Sequence, residues 1–213
     1  LWWVQDVSAS LPALALSSAL QKGAMEDMHV VDMCAAPGGK TAQLASLGFG
    51  TVTAVEYSEK RSRRLKKNLE RLNMMDVCSI CVDDGTKWTA PDDAKQIDGI
   101  LLDVPCSATG TGSKRPDVLR RSKNLDELLA SQGKLAKHCA DNILQVGGVL
   151  VYATCSLLKE ESENQVEKLL SRSDGAKMET VKFQPGEIPG FDTCIDENGW
   201  MRVLPGALHS SIG

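Results

Sequence analysis

No run of residues in this 213-residue chain is apolar for long enough to cross a bilayer, which excludes a helical integral membrane protein. Nor is there a surplus of positive charge. The formal net charge is -4, so a protein that coats nucleic acid through bulk cationic charge is excluded and only local basic clusters can serve that purpose. The seven cysteines, at positions 34, 78, 81, 106, 139, 155 and 194, lack the density of a disulfide-stapled secreted domain, and a reducing, cytoplasmic setting is expected. A basic-then-apolar signal segment and an Arg/Ser-rich transit segment are both missing from the start, which is Leu1 rather than Met. The expectation is therefore one domain over residues 1–213, part of a longer protein, with organellar or nucleolar addresses left open. Internal repeats and low-complexity tracts are absent.

What is present centres on VVDMCAAPGGKTAQL (30–44), an apolar run, a Pro-Gly-Gly turn and residues able to open a helix. Pro37, Gly38 and Gly39 let the backbone turn sharply and approach a ligand, and the helix start adds unpaired N–H groups. Around it the pattern predicts a helix over 8–20 capped by Ser8 or Ser10, and a strand over 29–33. A helix follows over 39–47, a strand over 51–56, a Ser58-capped helix to about 73, and strands over 77–82 and 97–103. The remainder predicts a helix over 124–145, a strand over 148–154, a helix over 159–171 and a sixth strand over 177–183. Strands alternating with helices imply a mostly parallel sheet with helices on both faces, and ligands at the carboxyl ends of its strands.

Two nucleotide-binding patterns compete for the first loop. Gly39-Lys40-Thr41 ends like a phosphate-binding loop, and Ile100-Leu101-Leu102-Asp103 resembles a strand that presents a magnesium-binding Asp. Cys34 occupies the place of the first required glycine, however, and its side chain would crowd a loop that must wrap phosphates. The dinucleotide pattern G-x-G-x-x-G is not found either. An adenosine-type ligand without phosphate chemistry remains. Glu56, at the end of the second strand, can accept ribose hydroxyls or favour the next helix's N-terminus. Asp83 and Asp84 can accept an adenine amino group or simply form an Asp-Gly turn.

Cys106 follows the fourth strand and Cys155 the fifth, so neighbouring strand ends should bring the two thiols together. Two thiols beside Asp103 point to nucleophilic catalysis, in which a thiolate adds to an electron-poor carbon. Cys139 and Cys194 read as inert packing residues. Cys78 and Cys81 are three apart on a strand, facing opposite sides, and a metal site is not expected.

The segments DMCAAPGGKT (32–41), LLDVPCSATG (101–110) and LVYATCS (150–156), preceded by QDVSASLPALAL (5–16), resemble the RNA cytosine-5 methyltransferases of the Nol1/Nop2/Sun family. Within that family they are most similar to enzymes of bacterial small-subunit ribosomal RNA. The resemblance spans nearly the whole chain and implies a class I S-adenosylmethionine methyltransferase fold, Rossmann-like. It makes Cys34, Ala35, Ala36, Pro37, Gly38, Gly39 and Lys40 the S-adenosylmethionine loop, with Glu56, Arg61, Asp83, Asp84 and Asp103 as further cofactor contacts. It makes Cys155 the nucleophile toward carbon 6 of cytosine. Asp103 becomes the partner of the ring nitrogen, Cys106 helps release the enzyme, and Lys40 lends positive charge. Glu56 departs from the family's usual Asp, and Gly112-Ser113-Lys114-Arg115-Pro116-Asp117 departs from its Arg-Arg-His-Pro-Asp. The family pattern continues beyond Arg202-Val203-Leu204-Pro205 into a strand that this sequence lacks, so a catalytic core is expected.

Two basic clusters offer contacts to RNA phosphates: Lys60, Arg61, Arg63, Arg64, Lys66, Lys67 and Arg71 on one helix, and Lys114, Arg115, Arg120, Arg121 and Lys123 after the Cys106 loop. The second, beside the chemistry, is the stronger candidate, and the first reads equally well as a solvated face. Trp2, Trp3, Trp88 and Trp200 read as packing residues. A monomer acting on an unpaired or flipped cytosine is expected, with a catalytically silent RNA-binding scaffold as the alternative.

Overall fold

Five apolar runs become five parallel strands: β1 (His29–Met33), β2 (Thr51–Val55), β3 (Cys78–Cys81), β4 (Ile97–Asp103) and β5 (Leu144–Ala153). The structure, a computed structural model, describes residues 2–20, 23–91, 96–120 and 124–204. The strands lie in the order β3-β2-β1-β4-β5, so the chain winds outward from β1, crosses back to β4 and then winds outward the other way. Val31 pairs with Thr53 on one side and Ile100 on the other, and Ile100 pairs with Leu150. β1 is buried along its whole length, which is why its sequence is a near-continuous apolar run rather than an alternating one. The order reverses between β1 and β4, and open α/β sheets hold their ligands beyond the carboxyl ends at such a reversal.

The helices are α1 (Val7–Ala19), α2 (Gly39–Ser46), α3 (Glu59–Arg71), α4 (Leu125–His138) and α5 (Glu163–Leu170). α1 packs on α2, β4 and β5, α2 on β2, and α3 on β3. Two compact units emerge. The first comprises the residues up to Pro105 together with Gly133–Ala153, and so contains the whole sheet. Its core includes Leu16, Val30, Leu44, Phe49, Leu65, Leu69 and Leu101, each contributing about 1.5–3 kcal/mol through burial. The second comprises Cys106–Gln132 and the chain from Thr154 onward; it buries Val118, Leu169, Ile188 and Phe191, with Gln132, Glu161 and Gln165 among them.

Four expectations are corrected. The cap of α1 is Asp6, whose carboxylate accepts from Ser8 N at 3.2 Å, not Ser8 or Ser10. The helix predicted over 124–145 ends at His138 and passes through a π-helical turn, Cys139–Ile143, into a strand that begins at Leu144 rather than 148. The early start is possible because the β4–β5 ladder shifts register: Leu144 pairs with Ile97, Val149 pairs with Gly99, and Gly147 takes up the irregularity at φ +84°. The helix predicted over 159–171 is a 3-10 turn, Lys159–Glu161, broken from α5 at Ser162 (φ -124°, ψ -100°). Residues 177–183 form no strand. Among the described residues they have no ladder partner, and Val181 is exposed; Phe183 N donates to Gly199 O at 3.1 Å.

Candidate active site

In the first unit the Cys34–Gly38 loop is fastened from several sides. Ala35 N donates to Val55 O at 3.1 Å, Gly38 N to Ala35 O at 2.8 Å, and Asn68 Nδ2 to Pro37 O at 2.8 Å. The Ala36–Pro37 peptide is cis. Gly38 caps α2 in the left-handed region, φ +98°, and a Cβ there would stand 2.5 Å from Leu65 Cδ1, so both the turn and the packing require glycine. Cys34 also has a positive φ, and burial together with the Glu56 carboxylate pushes its thiol far above the ordinary range; it is no nucleophile.

Glu56 is 1% exposed. Its Oε2 accepts from Ala36 N at 3.2 Å and its Oε1 from Ser58 N at 2.9 Å, while Arg61 Nη1 lies 3.3 Å away. Arg61 Nη2 also donates to Ala36 O at 2.7 Å. In this conformation Glu56 and Arg61 therefore hold the loop to the start of α3. Asp84 Oδ1 accepts from Thr86 N (3.0 Å) and Thr86 Oγ1 (2.7 Å), bonds that lower its pKa, and Asp83 Oδ1 accepts from Asp84 N at 2.7 Å. Both acids thus build the turn after β3. At the end of β4, Asp103 Oδ2 accepts from Lys40 Nζ at 2.8 Å; Asp103 is one-third exposed, so the pair borders solvent.

Asp32, on β1, carries a role that the sequence reading did not assign. It is wholly buried, which raises its pKa to about 7 against the opposing Thr41 hydrogen bond. Thr41 Oγ1 donates to Oδ2 at 2.5 Å and so ties α2 to β1, while Oδ1 has no hydrogen-bond partner among the described residues. The signal was present, since an Asp inside a buried apolar strand needs a partner.

In the second unit Cys106 and Cys155 meet with their Sγ atoms 3.4 Å apart, as the strand order required. Cys155 is exposed and Cys106 is 8% exposed. The Cys155 thiol is the largest influence lowering the Cys106 pKa, to about 6; burial opposes it, and the Thr154 hydroxyl and backbone N–H groups add to the lowering. The two thiols titrate as a pair, and their contact favours the loss of one proton from it.

Behind the thiols sits Glu161, fully buried. Its Oε1 accepts from Ser107 N and from Gln132 Nε2, both at 2.9 Å, and its Oε2 accepts from Ser107 Oγ. Ser107 Oγ lies 3.0 Å from Ser156 Oγ. One carboxylate thereby links the residue after Cys106 to the residue after Cys155, and these bonds outweigh burial to lower its pKa. Gly110 N also donates to Cys155 O at 2.9 Å, and a Cβ on Gly110 would stand 2.8 Å from that oxygen. Nothing in Lys159-Glu160-Glu161, which reads as a solvated helix end, marks Glu161 as buried. A separate cleft of about 400 Å³ in this unit lies between Glu163, Glu167, Asp196, Glu197 and Trp200 and is lined by neither thiol.

Of the basic residues, those of α3 are exposed, as are Lys114, Arg115 and Arg120; Arg121 and Lys123 lie outside the described residues. Trp88 is buried, Trp3 packs against the core and Trp2 is exposed. No helix of the described residues is long and apolar enough to cross a membrane.

Comparison with known proteins follows the same lines. A family model described as 16S rRNA methyltransferase RsmB/F matches residues 19–210. Ribosomal RNA small subunit methyltransferase B of Xylella fastidiosa is 40% identical over 190 residues, covering 88% of this chain and 42% of that protein. The protein of the same description from Salmonella paratyphi B is 39% identical over 198 residues, 88% of this chain and 44% of its own length. The chain thus spans less than half the length of these curated relatives. Among solved structures, NSun6 from Pyrococcus horikoshii, determined with SFG, is similar at a TM-score of 0.64 and 31% identity, over 83% of this chain and 45% of that one. A SAM-dependent O-methyltransferase from Thermotoga maritima shares the fold at a TM-score of 0.52 and 22% identity, over 79% of this chain and 51% of its own. With the sheet order, the loop and the thiol pair in place and a family model matched over most of its length, the chain belongs to the 16S rRNA methyltransferase RsmB/F family.

Proposed function

We propose that this chain transfers a methyl group from S-adenosylmethionine to carbon 5 of a cytosine in ribosomal RNA, through a covalent bond between a cysteine and the base. The observation that carries this reading is the thiol pair, one sulfur exposed and the other drawn toward the thiolate, 3.4 Å apart. A ring carbon of cytosine does not attack an electrophilic methyl group while the ring is aromatic. A thiolate adding to carbon 6 removes that obstacle, and a second thiol helps to undo the bond afterwards. The ribosomal substrate is supported by the names of the relatives.

S-adenosylmethionine supplies an electrophilic methyl carbon when bound. The residues of the first unit suit a ligand carrying a sulfonium and an ammonium. Asp32, Glu56, Asp83, Asp84 and Asp103 lie at or near the carboxyl ends of the first four strands, with Lys40, Arg61 and Lys87 as the cations paired to them among the described residues, and Gly38 keeps the loop thin where a backbone must approach. Neighbouring NSun6 was determined with SFG, an analogue of this cofactor. The loop from Cys34 to Lys40 would hold the amino-acid part and Asp83 and Asp84 the adenine side. A ribose contact by Glu56 needs the Arg61 guanidinium, 3.3 Å from it and half-exposed, to swing aside.

Cys155 Sγ bonds to carbon 6. Asp103 would hydrogen-bond the ring nitrogen that gains electron density, passing to it a proton from the Lys40 ammonium paired with it at 2.8 Å and returning that proton when the ring is restored. Carbon 5, now electron-rich, takes the methyl group. Once Cys106 has released the pair's proton to solvent, its thiolate accepts the proton from carbon 5, Cys155 departs as a thiolate and the aromatic ring returns. Reaching carbons 5 and 6 together requires an unpaired or flipped cytosine.

The test is a pair of variants incubated with RNA and S-adenosylmethionine. Cys106→Ala should leave a protein–RNA adduct that survives a denaturing gel, and Cys155→Ala should leave none and transfer no methyl group. An adduct with Cys155→Ala and none with Cys106→Ala would reverse the two roles; transfer undiminished in Cys155→Ala would end the covalent mechanism.

A further inference from the structure

α3 carries seven cations and two carboxylates in thirteen residues, in a chain whose net charge is -4. Its inner face, Ser62, Leu65 and Leu69, is buried. The two carboxylates face Arg63 at 2.8 Å and Lys66 at 3.9 Å, and Arg61 is engaged with Glu56 and Ala36. The remaining four cations, Lys60, Arg64, Lys67 and Arg71, follow the spacing i, i+4, i+7, i+11 and so form one line along the side of the helix opposite the buried stripe. All four are exposed, and none pairs with a carboxylate among the described residues; Arg71 donates to Trp2 O at 3.1 Å.

Such a line is unfavourable for the helix itself. Like charges three or four residues apart cost about 0.2–0.5 kcal/mol per pair, and a merely solvated face would intersperse the signs. The line spans about 16 Å, eleven residues at about 1.5 Å each, and so matches an extended polyanion rather than a single anion. Just before the helix, three residues ahead of Lys60, Tyr57 is 77% exposed. Cations in a row with an aromatic ring at one end are the components of a single-strand nucleic-acid platform.

We infer that the outer face of α3 docks the sugar–phosphate backbone of the RNA strand that carries the target cytosine, with Tyr57 stacking on one of its bases. This rests on the reading of the chain as an RNA methyltransferase. It adds a surface that fixes where the strand runs, and it ranks α3 above the cluster after Cys106, where Arg115 already faces Asp117 at 3.9 Å.

The test compares the chain with its Lys60→Gln, Arg64→Gln, Lys67→Gln triple variant. Binding of a single-stranded RNA oligonucleotide is followed by fluorescence anisotropy across a salt series, and S-adenosylmethionine binding by calorimetry. Each phosphate contact contributes about 0.7 to the slope of log affinity against log salt, so the triple variant should lose about 2 from that slope. It should bind S-adenosylmethionine as before and melt no lower, since it sheds like-charge repulsion. Tyr57→Ala should weaken binding without changing the slope. An unchanged slope and affinity in the triple variant would overturn the inference and leave the methyltransferase reading standing. Equal competition by polyglutamate of matched charge would overturn the assignment to RNA. RNA binding that behaves as expected in a chain with no response to S-adenosylmethionine would retain the docking surface and remove the methyltransferase reading.

Discussion

Replacing Glu161 by Gln tests whether one buried carboxylate holds the two thiol-bearing segments together. The substitution keeps volume and shape but removes the charge and turns an acceptor into a donor, opposite Ser107 N, Ser107 Oγ or Gln132 Nε2. A hydrogen bond to a charged group is worth about 1.5–3 kcal/mol, and a buried donor left without an acceptor costs about 1–3 kcal/mol. One donor is stranded, while the Ser107 hydroxyl can turn to Ser156 at 3.0 Å, so the expected loss is about 2–3 kcal/mol. For a chain of this size that corresponds to about 4–12 °C in Tm. Urea unfolding at neutral pH is the assay. The acid limb supplies an independent sign: Glu161 has its pKa lowered in the folded chain, so its contribution is present above the unfolded value near 4.5 and is lost as pH falls through the lower folded value. The Gln variant should therefore lack that part of the wild-type loss in acid. Equal stability of the two proteins at neutral pH, within about 0.5 kcal/mol, would refute the reasoning.

Other outcomes follow from the same structure. Asp32 has a raised folded pKa, about 7 against 3.8, so the folded state holds an extra proton between these values and wild-type stability should fall as pH rises through that window. Asp32→Asn, which can still accept from Thr41, should be the more stable protein at pH 8, by an amount on the order of 4 kcal/mol, in urea titrations at pH 5 and 8. Gly38→Ala places a methyl group 2.5 Å from Leu65 Cδ1 at a positive φ, and should cost at least about 1–3 kcal/mol and weaken S-adenosylmethionine binding in calorimetry. The rate of alkylation of Cys106 by iodoacetamide should rise through a midpoint near pH 6, and Cys155→Ala, which removes the chief cause, should move that midpoint up.

Much of the fold was legible because buried parallel strands leave an unmistakable record. Residues 29–33 and 97–103 were read with the bounds the structure has, since both are apolar runs too short for helices and are followed by turn chemistry. The meeting of Cys106 and Cys155 followed from strand order alone. Elsewhere the deciding interactions are tertiary. The start of β5 at Leu144 depends on a register shift against Ile97, and Gly147-Gly148 looks like a turn in the sequence. Residues 177–183 have strand-like composition but no ladder partner among the described residues. Glu56 reads in the sequence as a ribose acceptor or a helix-start carboxylate; the structure shows its oxygens on Ser58 N at the start of α3 and on Ala36 N, and the second of these contacts, with Arg61 beside it, is tertiary. Glu161 carries no local mark at all, because its burial is decided by Ser107 and Gln132, 54 and 29 residues away.

The central claim is tested most directly by incubating the chain with ribosomal RNA and S-adenosylmethionine labelled in its methyl group, digesting the RNA to nucleosides and identifying the labelled one. The account predicts label in 5-methylcytidine, abolished in Cys155→Ala. Label in a base-nitrogen or ribose methyl group, or transfer that survives the loss of Cys155, would contradict it.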